Sequence, residues 1–120
     1  MELTMQIPVA MVAVMMAGLG TMSMFAPKKM LGNFGLEPAG VQGYSTVRSV
    51  IGGLFLASLG LLVYGLHSGE AQWFLAVAAL MSAIAAGRIV SLVTDGFDRS
   101  VVPPLVVELV IVAVLMVASW

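Results

Sequence analysis

The chain has 120 residues, 61% of them hydrophobic and 9% charged, with a formal net charge of −1 and a mean hydropathy of +1.10. Soluble domains carry about 25% charged residues, so a chain this short and apolar has too little polar surface for water and is expected to be covered by lipid. The charge balance gives no footprint for nucleic acid, the lack of cysteine excludes disulfides and thiolate chemistry, and one histidine, His67, excludes a zinc site built on several histidines.

The first apolar run covers about residues 7–25, long enough to cross ~30 Å of hydrocarbon at ~1.5 Å per residue. A cleaved signal peptide needs a basic stretch ahead of its apolar core, whereas here the first basic residues, Lys28 and Lys29, follow the run. The pattern predicts a retained span. Residues 26–43 carry Pro27, Pro38, Gly32, Gly35, Gly40 and Gly43, which break any long helix. Met30, Leu31, Phe34 and Leu36 beside the two lysines suit a short segment in the membrane interface, and the glycines suit a plain loop equally.

The second run, about residues 44–66, ends at His67-Ser68-Gly69-Glu70, and so short a link returns the third run, about residues 71–94, antiparallel beside it. Asp95-Gly96 opens a polar turn, and Pro103-Pro104 begins the fourth run, about residues 104–120, which closes on the interfacial aromatic Trp120. The expected fold is therefore all-α, one domain built as an up-and-down bundle of four transmembrane helices. The loop charges Lys28, Lys29 and Arg99 lie on one side with Arg48 and Arg88 just inside the adjoining helix ends. The other side has only Glu2, His67 and Glu70. The excess of basic residues on the cytoplasmic side then predicts both termini outside the cytoplasm.

Small residues recur along the spans: Ala10, Ala13, Ala17 and Gly20 in the first, Ser49, Gly53 and Ala57 in the second, and Ala79, Ala83 and Gly87 with Ala78, Ser82 and Ala86 in the third. Such faces let transmembrane helices approach closely, within the chain or against another protein.

Three charges stand inside apolar runs: Arg48, Arg88 and Glu108. Each costs about 2.5–3.5 kcal/mol at mid-membrane even on a lenient insertion scale. All three fall near one membrane face, so Arg88 and Glu108 are expected to pair as a bidentate ion pair, with Asp95, Ser91 and Asp98 nearby and Arg48 sharing a carboxylate. The arrangement either fixes the helices in register or lines a cytoplasm-facing pocket for an anionic lipid or small anion. The ten methionines read as flexible packing, and no phosphate loop, serine triad, paired acidic motif or metal set is present. No cofactor and no catalysis are expected.

These charged positions carry a resemblance. The stretches from Val47 to Ala57 (VRSVIGGLFLA), from Ala86 to Ser91 (AGRIVS) running to Asp95-Gly96, and Glu108-Leu109 are similar to the small four-span bacterial membrane family known as domain of unknown function 4345. That family often has an acidic residue just before the arginine of its second helix, where this chain has Val47, which leaves Arg48 more dependent on Glu108 or Asp95. The resemblance implies a small bacterial inner-membrane protein with no established activity. The expected role is an accessory subunit beside a partner membrane protein or in a homo-oligomer; the alternative is a lipid- or anion-binding carrier.

Overall fold

The structure, a computed structural model, describes residues 3–120. Glu2, counted above among the outer-side charges, lies outside the described residues. In chain order the helices are α1 (Leu3–Phe25), α2 (Pro27–Gly32), α3 (Gly40–Thr46), α4 (Gly52–Ser68), α5 (Gln72–Thr94) and α6 (Val102–Ser119). A π-helical turn, Val47–Ile51, joins α3 to α4, and a 3-10 turn, Arg99–Val101, precedes α6. The fold is all-α. Four segments are long and apolar enough to cross a membrane: Thr4–Phe25, Gly40–Ser68, Gln72–Thr94 and Arg99–Ser119. This accords with a four-helix bundle, and the chain is a multi-pass membrane protein.

Residues Ala10–Val63 form one compact unit. Within it α1 and α4 meet at two glycines. A Cβ on Gly20 would lie 2.7 Å from Leu56 Cδ2 and 3.1 Å from the Leu56 backbone nitrogen, and one on Gly52 would lie 3.3 Å from the Met24 nitrogen. The two backbones approach because neither residue has a side chain, the usual packing of helices in lipid. The small-residue stripe read from the second span, Ser49-Gly53-Ala57, is not the face that packs here. Ser49 and Ala57 are exposed, and the space beside Gly53 is open. The face of α4 that meets α1 is the one carrying Gly52 and Leu56. Ser23 and Ser58 are buried, and each hydroxyl donates to a carbonyl four residues back, Leu19 O at 2.7 Å and Leu54 O at 2.9 Å. Neither hydroxyl hydrogen is left without an acceptor.

Residues 26–43 are part helix and part loop. Pro27–Gly32 is a short helix whose Pro27, Met30 and Leu31 are buried against the protein while Lys28 and Lys29 are exposed. From Asn33 to Ala39 there is no helix, and the second apolar segment then begins at Gly40 rather than Tyr44.

The other unit gathers Tyr64–Trp120 with residues 3–9. Here α4 stops at Gly69, whose φ of +75° suits a residue without a Cβ and whose N–H donates to Gly65 O at 2.9 Å. The return is tight. A Cβ on Gly65 would meet the fully buried Phe74 ring at 2.7 Å, and the Tyr64 and Trp73 rings pack edge to face, their centroids 5.1 Å apart. Helices α5 and α6 then pack against each other. Along α5 the buried positions are Phe74, Val77, Ala78, Met81 and Ala85, and along α6 they are Glu108, Ile111, Leu115 and Ala118. Spacings of three and four residues place each set on one helical face. Pro103 and Pro104 fall in the first turn of α6, where a missing N–H has no cost.

Candidate functional site

The Arg88–Glu108 pair is set by the α5–α6 hairpin. Arg88 stands six residues before the end of α5 and Glu108 six residues after the start of α6, so at ~1.5 Å per residue both lie about 9 Å along their helices. Antiparallel packing brings the two levels together. Arg88 Nε donates to both Glu108 oxygens, at 2.6 Å to Oε1 and 2.9 Å to Oε2. The expected ion pair is present, but its form differs from two parallel bonds. One nitrogen is shared between two oxygens, which leaves the terminal guanidinium nitrogens out of the contact. Glu108 is 7% exposed, and the Arg88 side chain is 29% exposed.

The other expected members have partners of their own. Ser91 Oγ donates to Asp95 Oδ2 at 2.9 Å, a bond that closes the last turn of α5. Asp98 Oδ1 accepts from the Ser100 backbone N–H at 2.8 Å and from the Ser100 hydroxyl at 2.7 Å. These bonds, the backbone one first, hold the Asp98 carboxyl below its ordinary value. Asp98 thus caps the turn that leads into α6. Lys28 and Lys29 are exposed between the first two spans, and Arg99 is exposed at the first residue of the fourth, in the 3-10 turn before α6.

Arg48 sits in the π-helical turn, eight residues inside the second apolar segment rather than four. Its acceptor is neutral: Nη1 donates to the backbone oxygen of Met24. Met24 lies in the last turn of α1, where carbonyls lack intrahelical donors and the helix dipole is negative, and where α1 has no basic residue of its own. Arg48 supplies that cation from the next span. Beside it runs an open groove of about 830 Å³ lined by Met24, Phe25, Val41, Tyr44, Ser45, Arg48 and Ser49. Met24, Phe25, Val41, Tyr44 and Ser45 carry no individual signal in the sequence. What joins them to Arg48 is the contact of α1 with the following span and a π-helical turn that no residue pattern announces.

Among the described residues no group of three or more His, Asp or Glu is placed to hold a metal ion.

A family model described as a domain of unknown function, DUF4345, matches residues 4–119, nearly the whole chain. Comparison with curated proteins and with solved structures gives no match.

Proposed function

The chain belongs to the DUF4345 family, a domain of unknown function, and from its own geometry we propose that it serves as a small accessory subunit, packing in the bilayer beside a helix of a partner membrane protein. One observation carries this reading. The middle of α5 presents Ala79, Ser82, Ala83, Ala86 and Gly87 on one face, and all five are exposed. Spacings of three and four residues make the face continuous over about two turns. Most exposed positions of α6 are of another kind, Val106, Val107, Leu109, Val110, Met116 and Val117, with Ala113 the one small residue among them. Bulky aliphatic groups suit contact with lipid tails. A strip of Ala, Ser and Gly gains little from lipid and much from a second helix, because close backbone approach is what drives association there.

On this reading the Arg88–Glu108 pair is structural and holds α5 in register with α6. The setting is a bacterial inner membrane, with Lys28, Lys29 and Arg99 toward the cytoplasm and both termini outside, as the distribution of basic residues supports. No catalytic step belongs to the proposal. Its test is mild extraction of the tagged chain from its native membrane, followed by identification of stoichiometric companions, with Ala83→Leu as the comparison. A companion present with the native chain and lost with Ala83→Leu is the expected result. Loss of nothing, or no companion at all, would set the subunit reading aside, and a second copy as the sole companion would make the assembly a homo-oligomer.

A further inference from the structure

We propose that the groove beside Arg48 is a binding site for the phosphate group of an anionic membrane phospholipid, with the upper part of the acyl chains lying along its apolar wall. The groove lies where a headgroup would be met. Met24 and Phe25 are the last residues of α1, and Val41 to Ser49 belong to the first turns of the following span, so its walls come from the same end of two adjacent spans. Helix ends mark the zone where hydrocarbon gives way to phosphate, and Tyr44 in the lining is a residue type favoured there.

The chemistry of the lining is two-sided. Met24, Phe25 and Val41 offer an apolar wall, with Phe25 and Val41 exposed at 73% and 87%. Arg48, Ser45 and Tyr44 offer polar groups. Of the five N–H donors of an arginine, the structure commits Nη1 to Met24 O, and the rest have no protein acceptor among the described residues. The Ser45 and Tyr44 hydroxyls also have no bonded partner among the described residues. The Ser49 hydroxyl, by contrast, already donates to Ser45 O at 2.6 Å.

Sign decides between an anion and a cation. Lys28, Lys29 and Arg48 are the basic residues of Ala10–Val63, and Glu37 is its one acidic residue. No carboxylate lines the groove. An arginine at this depth is costly unless its charge is met. The Met24 carbonyl meets part of it, and a phosphate oxygen completes what a neutral acceptor cannot, since arginine matches phosphate geometry and charge together. The apolar wall is what favours a phospholipid over free phosphate, which would gain nothing from Phe25 and Val41. This site is separate from the exposed α5 face, and either proposal stands if the other fails.

The test is native mass spectrometry of the full chain in detergent, titrated with phosphatidylglycerol, with phosphatidylcholine and with inorganic phosphate. The expected result is one phosphatidylglycerol retained per chain, at least tenfold in preference to phosphatidylcholine, with no competition from millimolar phosphate. Arg48→Met should abolish the preference. Because Arg48 also caps α1, Ser45→Glu is the second variant. It leaves the arginine and its Met24 bond in place, sets a negative charge in the groove, and should expel the anionic lipid from a folded chain. Equal retention of both lipids, displacement by inorganic phosphate, or undiminished phosphatidylglycerol binding in folded Ser45→Glu would overturn the proposal.

Discussion

Removing the two ends of the Arg88–Glu108 pair one at a time should have unequal consequences. Arg88→Leu leaves a carboxylate in a residue only 7% exposed, about 9 Å along its helix, with both oxygens stripped of the donor they shared. The short Glu108 side chain cannot reach water from there, and an orphaned buried charge costs about 3–5 kcal/mol. Glu108→Leu leaves the guanidinium, whose longer stem is already 29% exposed and can turn outward along the helix. That change should cost about 1.5–3 kcal/mol, the range of a lost hydrogen bond to a charged group. The double variant removes both charges and should lie within about 1 kcal/mol of the native chain, since apolar replacements of a buried pair are often neutral. Reversible unfolding in mixed detergent and dodecyl sulfate micelles would measure all four proteins. Equal losses for the two single variants, or a double variant as unstable as the sum, would refute the argument that Glu108 is the trapped partner.

Gly20→Ala should destabilise the α1–α4 contact by about 1–3 kcal/mol, because its Cβ meets the Leu56 side chain and backbone at once. Gly53→Ala, with open space beside it, should be neutral or more stable by about 0.5–1 kcal/mol in the same unfolding assay. Asp98 carries a pH dependence. Its pKa is lowered by the two Ser100 bonds, so the cap is fully present above the ordinary carboxylate value and is lost as pH falls through the lower folded value. The protection of the Ser100 amide, its exchange measured against the intrinsic rate at each pH, should therefore fall at acid pH below about 4, the ordinary aspartate range, and Asp98→Asn should remove that pH dependence. A reporter fused after Trp120 should be active only outside the cytoplasm; cytoplasmic activity would reverse the proposed orientation.

The helices were legible because hydropathy and the Pro and Gly breaks carry the signal directly. Asp95-Gly96 and Ser68-Gly69 ended helices where their chemistry predicts. The Arg88–Glu108 pair was legible for a related reason: a short turn between two straight helices fixes which depths meet. Arg48 was not. Its acceptor is a backbone carbonyl, Met24 O at the end of α1, and a carbonyl carries no mark in the residue types. Nor does residue type say which of two adjacent glycines packs: Gly52 lies against α1, and the space beside Gly53 is open.

The exposed face of α5 offers the most direct test of the subunit proposal, and a chain without cysteine makes that test clean. Ala83→Cys and, on the aliphatic face of α6, Val110→Cys would each be introduced alone, labelled with a maleimide-linked photo-cross-linker whose excited ketone inserts into any nearby C–H bond, and irradiated in the native membrane. The account predicts one discrete adduct with another membrane protein from position 83 and none from position 110. No adduct from either position, or the same scattered products from both, would contradict it.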